Sequence, residues 1–193
     1  MIQRPKTFVL LLRGINVGGK NKIGMAELKK RLEEEGFEGV LTHSLAGNVV
    51  LRSSLSAAAL SAKIEGLLKA WFKLDSELVM VVAIDRAAFE KVVAEAPSEF
   101  GADDGGYRYY VLFLKDRSAR EAMKDIEVRP EIDKAWPGPS VVYFRLPSLT
   151  SPHRSKSWLN RITQKPIYQV VTMRNWATTR KIAEILRKNA AAG

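Results

Sequence analysis

Cysteine is absent from all 193 residues, which excludes disulfides and thiolate metal sites. Histidine is nearly absent: His43 and His153 stand alone, without the spacing that metal ligands require. Long apolar runs are missing too. The longest, TFVLLL and LVMVVAI, are far too short to span a bilayer. The opening MIQRPKTFVLLLRG has only the beginning of a leader peptide, because its apolar run stops at Arg13 with no small-residue cleavage site. A cytoplasmic location and no membrane partner are therefore expected. The end of the chain lacks acid. Residues 1–100 carry 14 Lys and Arg against 12 Asp and Glu, whereas residues 145–193 carry 10 against Glu184 alone. Nearly all of the net +10 thus sits in the last quarter, as expected of a chain that meets nucleic acid or a phosphate-bearing small molecule.

What is present is the composition of a globular domain, 46% hydrophobic and 27% charged. Residues 6–13 read as a buried strand. GMAELKKRLEEEG reads as an amphipathic helix with Met25, Leu28 and Leu32 inward and Gly36 as its stop. VLTHSL and NVVLRS flank Ala46-Gly47 as a hairpin. SAAALSAKIEGLLKAWF is a second helix opened by Ser56, and ELVMVVAI a fourth strand. The order β-α-β-β-α-β is that of a ferredoxin-like plait.

The second half reads the same way: YRYYVLFL, a short helix in RSAREAMKDI, an edge strand in EVRPEID, then SVVYFRL, a helix in SKSWLNRIT, and YQVVTM. An extra helix follows each unit, and VVAIDRAAFEKVVA aligns without a gap on VVTMRNWATTRKIA. The fold class expected is α+β: two tandem ferredoxin-like (βαββαβ, α/β-plait) units with an extra helix after each. Its parts are a first plait at 1–86, a connecting helix and loop at 87–106, a second plait at 107–173 and a C-terminal helix at 174–193. Asp103-Asp104 belong to the connecting loop. TFVLLLR and YRYYVLFL are apolar on both alternating faces, so both faces need cover. The other plait, the extra helices or a second subunit would supply it, and a homo-oligomer is one of those solutions. Tyr107, Tyr109 and Tyr143 read as core and interface residues, because the glycine-containing signature of RNA-recognition plaits is absent.

GINVGGKN, Gly14 to Asn21, spells G-x-x-x-x-G-K, the phosphate-cradling loop of nucleoside triphosphatases. It places Asn21 where that motif needs a magnesium-binding hydroxyl, and the helix starts near Met25, too late to aim its dipole at Lys20. The ATPase reading therefore fails. A looser anion site remains, in which three glycines admit backbone N–H groups and Arg13, Lys20, Lys22 and Arg52 supply charge. That site assumes parallel first and third strands, which would bring Arg52 to the loop. No Ser/His/Asp set or nucleophile elbow is found, so no catalytic residue, cofactor or metal is assigned.

RGINVGGKNKIGMAELKKRLEEEGF, GNVVLRS and SKSWLNRIT…VVTMRNWATTRKIAEIL resemble, over nearly the full length, the bacterial proteins grouped as domain of unknown function 1697. The family-like positions are Arg13, Gly14, Asn16, Gly18, Gly19, Lys20, Asn21, Gly47, Asn48, Ser155, Lys156, Thr172, Arg174, Asn175, Trp176 and Thr178. The sequence departs from the pattern at HSLAGNVV, where Gln and Ser would precede the glycine, and at Met173, which replaces a Thr. The resemblance implies a duplicated plait and no activity. Asn175 is a candidate N-cap of the last helix, and Trp176, Thr179, Ala183 and Leu186 a docking stripe. Arg174 is suspicious, since a cation at a helix N-terminus opposes the dipole.

The expected function is non-catalytic binding of a phosphate-bearing partner, nucleic acid or a nucleotide-like anion. The contacts would come from Arg13, Gly14, Asn16, Gly18, Gly19, Lys20, Asn21, Lys22 and Arg52, with Ser155, Lys156, Arg174 and Asn175 from the basic C-terminal region. The alternatives are a small enzyme acting on an anionic metabolite in a cleft between the plaits, and a protein–protein assembly module.

Overall fold

The computed structural model describes residues 4–76, 79–102 and 105–190. Asp103 and Asp104 lie outside the described residues. Two compact units result: Met1–Phe89 with Leu186–Gly193, and Glu90–Ile185.

The first unit contains β1 (Lys6–Arg13), α1 (Met25–Glu34), β2 (Glu38–His43), β3 (Asn48–Ser53), α2 (Ala57–Trp71) and β4 (Met80–Asp85), followed by α3 (Arg86–Ala94), which runs across the boundary. Its antiparallel sheet has the order β2-β3-β1-β4. Strand alternation sends Phe8, Leu10 and Leu12 into a core with Leu28 and Leu32 of α1 and Leu60, Ile64 and Leu68 of α2. Val9 and Leu11, on the opposite face, are equally buried. Helix α1 ends where Gly36, at φ +91°, turns the chain left-handed and lets the Phe37 N–H reach the Leu32 carbonyl. Ser56 caps α2 by accepting from the Ala59 N–H at 3.2 Å.

The second unit contains β5 (Tyr107–Leu114), α4 (Ala119–Met123), β6 (Lys134–Pro137), β7 (Val141–Pro147), β8 (Val171–Asn175) and most of α5 (Trp176–Ala190). Its sheet, β6-β7-β5-β8, is again antiparallel. Leu112, Leu114, Val142, Phe144 and Leu146 face a core shared with Ala122, Trp158 and Ile167. The other face holds Val111, Phe113, Val141 and Tyr143, all fully buried. Phe100 meets Tyr109, Trp136, Tyr143 and Trp176 edge-on there, with ring centroids 5.1–5.8 Å apart. The central strands of both sheets are therefore buried on both faces.

Four expectations are corrected. First, β1 and β3 are antiparallel, not parallel: Thr7 lies opposite Arg52, so Arg52 sits at the far end of β1 from Arg13 and the glycine loop. A β-α-β-β order forces this, because the hairpin between β2 and β3 reverses the chain once more. Second, the edge strand is KAWP rather than EVRPEID. Around Pro130 the N–H groups of Ile132 and Asp133 turn back to the Arg129 carbonyl, leaving no extended run until Lys134. Third, SKSWLNRIT is not an α-helix. Three successive 3-10 turns (Arg154–Lys156, Trp158–Gln164 and Pro166–Val170) bridge β7 to β8, with Ser157 and Lys165 extended between them.

Fourth, the gapless match of the two strand–helix joins is one residue out of register. Asp85 and Asn175 do the same work: each accepts a hydrogen bond from the N–H three residues on (Ala88 at 2.9 Å, Thr178 at 2.7 Å). Each also lies opposite the first core-facing aromatic of the central strand, Phe8 or Tyr110. Asp85 is therefore the counterpart of Asn175, and Ile84 the counterpart of Arg174.

Tyr143 tests this packing. Its hydroxyl donates to the Val92 carbonyl at 2.6 Å, and burial pushes its ionisation up to about 12. Tyr143→Phe leaves that carbonyl unpaired and should lower stability by about 1–3 kcal/mol in urea titrations, with no change in subunit number.

Candidate functional site

Every residue from Gly14 to Asn21 serves one small structure. Gly18 and Gly19 take φ of +58° and +76°, and the Lys20 N–H bonds the Val17 carbonyl at 3.0 Å. Positive φ at both central residues defines a two-residue type I′ hairpin turn, for which Gly-Gly is well suited. Two asparagines, also left-handed, staple its base. Asn16 Nδ2 donates to the Ile23 carbonyl at 2.9 Å and the Leu45 carbonyl at 3.1 Å, while its Oδ1 accepts from the Ile23 N–H at 2.9 Å. Asn21 is buried. Its Nδ2 donates to the Gly14 carbonyl and to Ser76 Oγ, and its Oδ1 accepts from the Asp75 and Ser76 N–H groups.

This arrangement does not cradle a phosphate. The N–H groups of Asn16, Lys20 and Asn21 are already engaged, that of Asn21 with the Asp75 carboxylate at 2.8 Å. An anion arriving there would meet another anion. Lys20 and Lys22 are exposed at the tip and flank of the turn, with Gly18 and Gly19 beside them. Arg13 is half-buried at the end of β1, and Arg52, at the opposite end of the sheet, pairs with Glu38 at 3.3 Å. The sequence-predicted first-unit set is thus split in two.

In the second unit, Arg174 is buried in β8, where its Nη1 donates to Thr172 Oγ1 at 3.0 Å and the Met173 carbonyl at 2.8 Å. Desolvation pulls its pKa down to about 10, still far above neutrality, so it remains a cation but not a surface one. Ser155 and Lys156 are exposed on the first 3-10 turn. Asn175 is exposed and caps α5.

Beside Asn175 opens a groove of about 260 Å³, lined by Gly101, Tyr107, Arg108, Tyr109, Tyr110, Asn175, Trp176, Ala177 and Arg180. Sequence reasoning missed most of it. Trp176 and Arg180 are one helical turn apart, and the Arg180 guanidinium lies 5.9 Å from the indole centroid. Arg145 stacks on Tyr107 at 4.0 Å. Gly101, at φ +83°, holds the loop against Trp176; a Cβ there would meet the indole at 2.4 Å. Arg108 and Arg180 are exposed and have no carboxylate partner among the described residues. Among the described residues that line the groove none carries a carboxylate, imidazole or thiol. The i,i+4 pair Trp176/Arg180 was the signal available in the sequence.

Asp133 was also missed, reading as one residue of an edge strand. It is fully buried, accepts from the Trp158 N–H at 2.7 Å, and leaves Oδ1 unpaired, as is Trp158 Nε1. Desolvation raises its pKa above the ordinary 3.8, despite help from Ser157, Trp158 and the nearby Arg129 and Arg145 charges.

Two four-stranded antiparallel sheets with helices, one bearing a basic aromatic groove, define an α+β protein whose accessible polar chemistry lies at strand ends and turns. The chain belongs to the family described as protein of unknown function (DUF1697), whose model matches residues 6–143. Among solved structures it is similar to one titled "The structure of conserved bacterial protein SP0830 from Streptococcus pneumoniae", with TM-score 0.75 at 24% identity, over 94% of this chain and 99% of that one. That likeness is one of fold. No curated protein matches the chain. Among the described residues no helix is long and apolar enough to cross a membrane.

Two measurements test these assignments. Asn21→Ser restores the residue a phosphate loop requires, yet it removes the amide from four partners. It should cost about 2–4 kcal/mol in urea titrations and confer no nucleotide binding. For Asp133, a raised folded pKa means the folded state holds the proton more tightly than the unfolded chain. Stability is then unaffected by this group below pH 3.8 and falls as pH rises through the interval up to the folded pKa. Asp133→Asn should abolish that decline, seen as a flatter stability-versus-pH curve above pH 3.8.

Proposed function

We propose that the chain is a non-catalytic, cytoplasmic binding protein for a phosphate-bearing partner, nucleic acid or a nucleotide-like anion, built on two tandem ferredoxin-like plaits. The strand order β2-β3-β1-β4, repeated as β6-β7-β5-β8, supports the plait reading. One observation carries the function: Arg108 and Arg180 share a groove with Trp176 and three tyrosines at the N-terminal end of the 15-residue α5. Guanidinium groups bind phosphate oxygens in bidentate fashion, aromatic rings take the face of a base, and a helix N-terminus favours negative charge. At about 260 Å³ the groove is small for a ligand pocket and suits a single nucleotide-sized group rather than a long tract.

The proposal places the anion on the second unit and withdraws Arg174 from direct contact. Melting curves with inorganic phosphate, nucleoside monophosphates and triphosphates, and short single-stranded oligonucleotides provide the test. A bound anion at about 100 times its Kd should stabilise the wild type by about 2.7 kcal/mol, and Arg108→Gln/Arg180→Gln should show no such rise. For an oligonucleotide engaging two phosphates, log K should fall against log salt with a slope of about −1.4. A wild type unmoved by every anion would overturn the proposal.

A further inference from the structure

Three side-chain atoms among the described residues are sealed from solvent without a hydrogen-bond partner: Asp133 Oδ1, Arg145 Nε and Trp158 Nε1. Arg145 stands apart from the other two. It follows Phe144, whose ring meets Trp158 at a centroid distance of 5.8 Å. Strand alternation turns it to the opposite face, onto Tyr107 at 4.0 Å. Asp133 and Trp158 belong together. Their exposures are 0% and 1%, and Asp133 Oδ2 accepts from the Trp158 backbone N–H at 2.7 Å. The orphan oxygen thus sits on the carboxylate that holds the residue bearing the orphan indole.

This bond joins two distant stretches of the second unit. Asp133 directly precedes β6, and Trp158 opens the second 3-10 turn of the bridge between β7 and β8. A buried donor or acceptor that loses water and gains no partner bears its full desolvation cost. Ser157, also fully buried, bonds the same carboxylate but leaves Oδ1 and the indole unpaired.

The chemistry of the two atoms selects an occupant. An ionised carboxylate oxygen only accepts, so it turns away an anion. The indole N–H only donates, so it turns away a cation. No group of three side chains that could hold a metal ion occurs among the described residues. What suits both atoms is a small neutral molecule that donates and accepts at once.

We propose that a single buried water molecule bridges Asp133 and Trp158, donating to Oδ1 and accepting from Nε1–H, and completes the junction between the start of β6 and the 3-10 bridge. Buried waters characteristically serve polar groups that the fold leaves unsatisfied. Desolvation raises the pKa of this carboxyl, and water suits either form, because its oxygen can accept from a protonated Oδ1. The site is separate from the anion groove, whose lining includes neither Asp133 nor Trp158.

A crystal structure of the full chain, at a resolution that shows ordered water, is the first test. Density for one water about 2.7–3.2 Å from both atoms is the expected result. An empty space there, a protein group filling it, or a direct bond from Nε1 to Oδ1 would overturn the proposal. Solution NMR on isotope-labelled protein gives an independent reading. The Trp158 indole proton, picked out from the four tryptophans by its loss in Trp158→Phe, should show dipolar cross-relaxation with water. In the rotating frame that transfer has the opposite sign to chemical exchange. Should the variant not fold, correlation through the Trp158 side chain assigns the same proton in the wild type. An indole proton without dipolar transfer from water would overturn the proposal as well.

Discussion

The burial of both faces of the central strands constrains everything else in this molecule. Val9 and Leu11 of β1, and Val111 and Phe113 of β5, are as inaccessible as the Leu10 and Leu112 that face the helices. A sheet open on one side would leave a broad platform for a ligand. Among the described residues the central strands leave no such platform, and Tyr143 is sealed under Phe100 and bonded to Val92. Polar chemistry that must reach solvent is left with strand ends, turns and the first turns of helices. The groove beside Asn175 and the turn at Gly18-Gly19 are both of that kind.

Much of this was legible in the sequence because it depends on local period and composition. The double apolarity of TFVLLLR predicts two buried faces, Gly36 stops α1, Ser56 caps α2, and of the α5 stripe Trp176, Thr179, Ala183 and Leu186 the last three are fully buried while Trp176 is half-buried. What failed depended on chain reversal or on competition between weak local preferences. Arg52 was assigned to the wrong end of the sheet by a directional slip: a hairpin after a crossover makes β3 antiparallel to β1. In SKSWLNRIT the side chains suit a helix, but Ser157 and Lys165 are extended, Pro166 closes the run, and the tighter 3-10 turns result.

The site residues divide along the same line. Asn21 drew notice because it broke a motif, and the structure gives the reason: the position needs an amide with two donors and an acceptor, which Ser cannot supply. A motif match in this loop was therefore a coincidence of spacing produced by hairpin chemistry. Arg180, by contrast, looked like any solvated helix charge. Only the approach of Gly101 and the β5 tyrosines to the start of α5 makes it part of a groove, and that approach is a long-range contact with no local signature.

The corrected register of the two strand–helix joins sharpens the contrast between the two halves. With Asp85 matched to Asn175 and Phe8 to Tyr110, Arg86 falls where the second unit has Trp176, and Glu90 where it has Arg180. A carboxylate stands there in place of the guanidinium, so the pairing of Trp176 with Arg180 belongs to the second unit alone. The reverse holds for the turn. After β1 the chain runs from Gly14 to Gly24 before α1 begins, whereas after β5 only Lys115–Ser118 precede α4. A four-residue link has no room for a stapled hairpin. The two units thus differ in the places that the shared constraint leaves open, the first having a stapled loop after its opening strand and the second a groove at the start of its closing helix. Two doubly buried sheets of the same topology thereby carry two unlike surfaces.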